Sequence, residues 1–186
     1  MAIDKKSFLK AVTILYDTRE HKNKHILDKL SEGGIMIEER KLDYGDYSFM
    51  ADGRDYSMSC VVERKGSVDE IYGNIMNDGD RLKKELYAAS CLSKELTLLI
   101  EGVSSWETLK IYRVPDYQMR ESPQRVNRDI GANVYVALKA WSVSNRYAFK
   151  VEFAEKKEDT ANKILEVFYY YWRTYKELTA ARKGKW

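Results

Sequence analysis

The run Val12-Thr-Ile-Leu-Tyr16 is short, apolar and rich in β-branched residues, with polar residues beyond it, and predicts a buried strand. From Lys22 to Leu30, Ile26, Leu27 and Leu30 recur at helical spacing, and Gly33-Gly34 marks the helix end. Ile35 to Leu42 alternates and reads as a second strand. Gly45 opens a turn into a third strand at Tyr47-Ser-Phe-Met50. Asp52-Gly53 suits a hairpin connection between Ala51 and Tyr56, and Cys60-Val-Val-Glu63 reads as the returning strand.

Ser67-Val-Asp-Glu70 has the spacing of a capping box, so a helix is expected directly after Lys65-Gly66. Asn77-Asp-Gly-Asp80 should break that helix, with a second one running from Arg81 to Leu92. Leu96 to Ile100 is a fully apolar strand ending at Glu101-Gly102. Pro115 and Pro123 bracket a polar stretch expected to be loop. Residues 125–143 carry Val126, Ile130, Val134, Leu138 and Trp141 on one helical stripe. Tyr147 to Phe153 alternates as a last strand, and a last helix covers residues 158–178. Strands interleaved with helices, plus an antiparallel hairpin in the first half, predict an α/β fold. Its centre would be a mixed sheet with helices on both faces, in one domain over 1–186, with a core at 12–175 and a basic tail at 179–186.

Composition narrows the class. The chain has 186 residues, 44% hydrophobic and 33% charged, enough for one buried core. No apolar run reaches the roughly 18 residues needed to span a bilayer, and the N-terminus does not read as a secretory signal. Cys60 and Cys91 have no CxxC or histidine spacing around them, so reduced core thiols and a cytoplasmic setting are expected. The net charge of +3 neither demands nor excludes nucleic acid.

Candidate chemistry lies in Asp17, Glu20, Asp46 and Glu63, with Lys65. The acids sit at or just beyond predicted strand ends, and neighbouring strands lie only about 5 Å apart, so the carboxylates can converge. Glu63 and Lys65, two apart on an extended segment, share one face. Clustered carboxylates suit a hard divalent cation such as Mg²⁺ or Mn²⁺, and a lysine beside them can orient an attacking water. Those are the requirements of phosphodiester hydrolysis. Charged residues at strand ends commonly just face solvent; the longer context separates the two readings.

Gly45-Asp46 followed by Glu63-Arg-Lys-Gly-Ser-Val-Asp69 resembles the Gly-Asp…Glu-Arg-Lys-x-x-x-Asp signature of the XPF nuclease family, a branch of the restriction-endonuclease-like group. Asp17-Thr-Arg-Glu20 is similar to that family's Asp-x-Arg-Glu element. Gly79-Asp-Arg-Leu82 resembles its Gly-Arg-Leu motif with one residue inserted, and Leu98-Leu-Ile-Glu-Gly102 its following strand. The resemblance implies a metal-dependent endonuclease acting on branched or nicked DNA, in repair or recombination. It implies Asp46 and Glu63 as direct metal ligands beside a backbone carbonyl, Asp17 and Glu20 completing the metal-binding acidic cluster directly or through metal-bound waters, and Lys65 positioning the water. Arg19, Arg64 and Arg81 would contact phosphates or hold the carboxylates; the two roles are not separable by sequence. Asp69, in the first turn of a helix, also suits a simple interaction with the helix N-terminus. The helix-hairpin-helix repeats that many members carry are not expected within 1–186. A non-catalytic scaffold, or a restriction-like or mobile-element nuclease on plain duplex, is the alternative reading.

Phe168-Tyr-Tyr-Tyr-Trp172 places five aromatics in sequence on a helix, where they point around the full circle. Phe168, Tyr169, Tyr170, Tyr171 and Trp172 are therefore expected to include a homodimer interface, as the family resemblance also implies. His21 and His25, four apart on the first helix, are expected to be surface residues.

Overall fold

The computed structural model of the protein describes residues 4–92, 95–121, 128–143, 147–182 and 184. One seven-stranded mixed sheet organises them. Its strands are β1 (Val12–Tyr16), β2 (Met36–Glu39), β3 (Tyr47–Ala51), β4 (Arg54–Asp55), β5 (Cys60–Lys65), β6 (Glu95–Glu101) and β7 (Lys150–Ala154). The order is β2-β1-β3-β5-β6-β7, with β4 paired to the far end of β3. β3 runs antiparallel to β1 and β5, whereas β2 is parallel to β1, and β5, β6 and β7 are mutually parallel. The predicted hairpin therefore sits inside an otherwise α/β sheet.

Strand alternation feeds two cores. On one face, Cys60, Val62 and Leu99 pack with α1 (Lys5–Ala11), α2 (Lys24–Glu32) and α7 (Thr160–Arg182). On the other, Val61, Leu98 and Ile100 pack against α3 (Val68–Leu92), α4 (Trp106–Lys110) and α6 (Ile130–Ser142). Helices on both faces match the expected class. Ser67 caps α3 by accepting from the Glu70 amide at 3.1 Å, and Glu70 reaches back to the Gly66 amide at 3.0 Å.

Several expectations need correction. Helix α3 runs unbroken through Asn77-Asp-Gly-Asp80. The stripe of Ile71, Ile75, Leu82, Leu86 and Ala89 stays in helical phase across that segment and buries against the sheet, which outweighs the poor local propensity. Helix α1 was not anticipated; Phe8 anchors it in the first core. The stretch expected to be loop holds α5 (Asp116–Glu121), with α4 just before it, while residues 122–127, including Pro123 and the start of the helix expected from 125, lie outside the described residues. Cys60 is buried, but Cys91 is exposed. Among the described residues no helix is long and apolar enough to cross a membrane.

The aromatic run of α7 is absorbed mainly within its own chain. Phe168 and Trp172 are buried, and Tyr169 and Tyr171 pack against the same cluster. Phe168 stacks on Phe49 at 4.8 Å, and the Trp172 indole donates to Asp52 at 3.1 Å. The full-circle argument holds only for Tyr170, which is 55% exposed. Phe168 and Trp172 are committed to the core, and Tyr170 is the member of the run that faces outward.

Gly131 in α6 marks where two helices meet without room for a side chain. A Cβ there would overlap the Leu109 carbonyl oxygen and lie 2.7 Å from the Tyr112 Cβ. Gly131→Ala is expected to lower stability by about 1–3 kcal/mol through overpacking, read as a lower urea midpoint with unchanged slope.

Candidate active site

Gly45 sets the site. Its φ of 69° is in the left-handed region, and a Cβ there would lie 3.0 Å from both the Val61 Cβ and the Val62 carbonyl oxygen. Only glycine turns the chain this tightly against β5. The turn fastens Asp46 between two strands: its amide donates to the Val62 carbonyl at 2.8 Å, and its carbonyl accepts from the Asp17 amide at 2.8 Å. Its carboxylate Oδ2 then accepts from the Arg64 amide at 2.7 Å.

The period of two along β5 completes the arrangement. Glu63 and Lys65 follow Val61 onto the α3 side of the sheet, with Asp46 beside them, while Arg64 points to the opposite face. The Lys65 ammonium donates to Glu63 Oε1 at 2.9 Å and lies 3.9 Å from a Glu70 oxygen. Burial pushes the Asp46 carboxyl well above the usual carboxylate range, and the charge of Glu63 pushes it further. Burial would lower the Lys65 pKa, but Glu63, Asp46 and Glu70 outweigh it and hold the side chain as a cation.

These groups line a cleft of about 680 Å³ together with Asp17, Arg19 and the second half of α3. Asp17 is placed there, but both its oxygens are engaged. Arg19 donates to them through its amide, Nε and Nη2, and the Leu42 amide donates at 2.6 Å. Burial opposes ionisation of Asp17; these hydrogen bonds more than offset it and hold the carboxyl below its usual range. Arg19 also donates to the Leu42 carbonyl while remaining largely exposed on the cleft rim. Arg81 lines the far wall and pairs loosely with Glu85 at 3.6 Å. Asp69 is not part of the cleft lining; its Oδ2 accepts from the Tyr112 hydroxyl at 3.1 Å, tying α3 to the segment after α4.

Arg64 resolves the ambiguity left by sequence. Its side chain is 5% exposed and donates to Glu101 through Nε at 2.8 Å and Nη2 at 3.1 Å, and to Glu20 through Nη1 at 3.2 Å. Thr160 Oγ1 donates to the same Glu101 at 2.8 Å, and His25 Nε2 lies 3.0 Å from it. Arg64 is thus an internal brace, and Glu20 belongs to that brace. His25 is half-buried and part of that network, whereas His21 is exposed as expected. Glu101, Thr160 and His25 were not singled out as site residues, because their partners lie 37, 59 and 76 positions away along the chain.

Among the described residues, no group of three or more histidine, cysteine, aspartate or glutamate side chains is arranged to hold a metal ion. Asp46 and Glu63 nevertheless fit a hard cation as a pair. They are carboxylates pressed together under burial, and a divalent cation would relieve the repulsion that raises Asp46.

The sequence model of the ERCC4 domain family matches residues 16–167. Among solved structures, the chain is similar to XPF from Aeropyrum pernix, with a TM-score of 0.58 and 19% identity over 83% of this chain and 64% of that one. It is similar also to XPF from Aeropyrum pernix in complex with DNA, with a TM-score of 0.55 and 17% identity over 84% of this chain and 62% of that one. The chain spans less than two thirds of the length of these structures, and at such identity the likeness concerns the fold. No curated protein matches the sequence.

Glu101→Gln is expected to leave the buried Arg64 guanidinium with Glu20 as its one described carboxylate partner, at up to about 3–5 kcal/mol of stability. Guanidinium unfolding followed by circular dichroism measures it. A loss under about 1 kcal/mol would mean that the pair does not brace the site.

Proposed function

Because the chain belongs to the ERCC4 domain family, we propose that it is a metal-dependent DNA endonuclease that hydrolyses phosphodiester bonds in branched or nicked DNA, in repair or recombination. The observation that carries the reading is the Asp46–Glu63 pair with the Lys65 ammonium hydrogen-bonded to Glu63, all lining one open cleft. The DNA held by one of the structurally similar XPF chains supports DNA as the substrate.

Asp46, Glu63 and a backbone carbonyl beside Glu63 would hold one Mg²⁺ or Mn²⁺. The bound ion would supply Lewis-acid activation of the attacking water and neutralise charge gathering on the phosphate. Lys65, anchored by Glu63, is placed to donate a hydrogen bond to that water or to a nonbridging oxygen. Asp17 fixes Arg19 at the rim through two side-chain hydrogen bonds. Arg19 and Arg81 then present cations where a phosphate backbone would cross the cleft. Arg64 acts from beneath: its amide aims the Asp46 carboxylate, and its side chain holds β5 to β6.

Labelled fork, flap, four-way junction and linear duplex should separate the readings. Cleavage is expected with Mg²⁺ or Mn²⁺ and none with EDTA. Asp46→Asn and Lys65→Ala should each reduce it by about 10²–10³-fold or more while DNA binding persists. Cleavage surviving either substitution would overturn the mechanism. Binding without cleavage by the unmodified protein would make it a scaffold, and equal cutting of linear duplex would remove structure specificity.

A further inference from the structure

The Lys65 ammonium has two carboxylate neighbours with different attachments. Glu63 Oε1 accepts from it at 2.9 Å, and Glu70 Oε1 lies 3.9 Å from it. Glu63 lines the cleft with Lys65, whereas Glu70 is outside the lining. Glu70 belongs to the first turn of α3, where its Oε2 accepts from the Gly66 amide at 3.0 Å and its own amide donates to Ser67 Oγ at 3.1 Å. Val68 and Ile71 on the same turn are buried in the second core, so the turn cannot shift without unpacking the helix.

A lysine carries three rotatable donors on a flexible stem. One hydrogen bond to Glu63 fixes one N–H and leaves the ammonium to pivot about it; a second anion limits the pivot. The Lys65 side chain is 9% exposed and that of Glu70 is 47% exposed, so solvent weakens the attraction at the carboxylate more than at the ammonium. The Gly66 amide keeps the half-exposed Glu70 from swinging away. The peptide after Lys65 runs close to brace and cap alike: a Cβ on Gly66 would lie 2.9 Å from Arg64 Nη2 and 3.4 Å from Glu70 Oε2.

We propose that Glu70 is a positioning residue for the hydrolysis. Its hydrogen bond to Gly66 fixes where the chain leaves β5, and its negative charge sets the direction of the Lys65 N–H groups that Glu63 does not hold. The inference rests on the endonuclease reading for the role of Lys65. It adds to that reading an acid outside the cleft that governs the rate through its charge, which a helix cap as such does not need.

Glutamine serves this place in a capping box as glutamate does, so Glu70→Gln keeps the cap and removes the charge. Ser67→Ala weakens the cap and keeps the charge. Single-turnover cleavage of the labelled substrates with Mg²⁺, anisotropy for DNA affinity and urea unfolding compare the two. Glu70→Gln is expected to slow cleavage about tenfold through misplacement of Lys65, with affinity and urea midpoint little changed. Ser67→Ala should lower the midpoint through loss of the cap and leave the rate near that of the unmodified protein. An equal rate in Glu70→Gln, or a loss matched by Ser67→Ala, would overturn the proposal and leave the endonuclease standing. A second readout is independent of cleavage: the Lys65 ammonium signal in proton–nitrogen correlation spectra, assigned by its absence from Lys65→Ala. It should be sharp in the unmodified protein and in Ser67→Ala, and broadened in Glu70→Gln. If the unmodified protein cuts nothing, the endonuclease reading alone fails, and broadening in Glu70→Gln still supports the contact. A signal unchanged in Glu70→Gln would overturn the positioning role whatever the cleavage.

Discussion

Beneath the cleft, the Arg64 guanidinium and the Glu101 carboxylate share two hydrogen bonds with almost no solvent around them. Taking both charges out of water costs several kcal/mol each, so the pair persists only because its remaining valences are filled. Glu20 takes the third Arg64 nitrogen, and Thr160 and His25 complete Glu101. Burial alone would raise the Glu101 carboxyl; the hydrogen bonds of Arg64 and Thr160 outweigh it and hold the group below its usual range. The gain is geometric. Once Arg64 is clamped to one face of β5, the alternation of the strand forces Glu63 and Lys65 to the other. The clamp also joins β5, β6, α2 and α7, so elements distant in sequence set the pose of the site.

The opposite face is built on a different electrostatic logic. Asp17 and Asp46 both sit in the cleft, and their environments push them apart. Asp17 is saturated by donors and serves as a post for Arg19. Asp46 has one donated amide and a neighbouring Glu63, and burial leaves its charge under strain. Divergence of this sort separates a structural carboxylate from one placed for chemistry. Lys65 offsets part of the repulsion without removing it, since its ammonium binds Glu63 directly and reaches Asp46 only through space. Under the proposed function, a bound divalent cation would offset the repulsion between the two carboxylates.

Local chemistry was legible wherever it is encoded by neighbours. The Gly45 turn, the Ser67 cap and the paired faces of Glu63 and Lys65 follow from residues within a few positions of one another. Arg64 was ambiguous because the residue that decides its role is 37 positions away. His25 was misread for the same reason, its partner lying on another strand. The break expected in α3 failed because glycine and aspartate weaken a helix by about 1 kcal/mol or less per residue, whereas Leu82, Leu86 and Ala89 beyond them bury against the sheet in phase with Ile71. The Phe168–Trp172 run carries a role that spacing did not reveal: Phe168, Tyr171 and Trp172 are packing partners of Phe8, Phe49 and Tyr56, which no spacing rule connects to α7.

These divisions place chemistry and recognition on separate elements. The carboxylate pair, the lysine and their brace belong to the central strands β3, β5 and β6, where a shift of register would undo the buried pair and the cleft together. Arg81, Lys84 and Glu85 lie on the exposed face of α3, whose other face, with Leu82 and Leu86, is committed to the core. Arg19 and Arg81, in contrast to Arg64, carry their charge outward. Substitutions at the exposed positions Arg81, Lys84 and Glu85 therefore change charge at the cleft without touching the carboxylates or their brace. The same separation leaves substrate choice unread in the motif around Glu63: Arg64 and Lys65 are buried among fixed partners, whereas Arg19 and Arg81 face solvent.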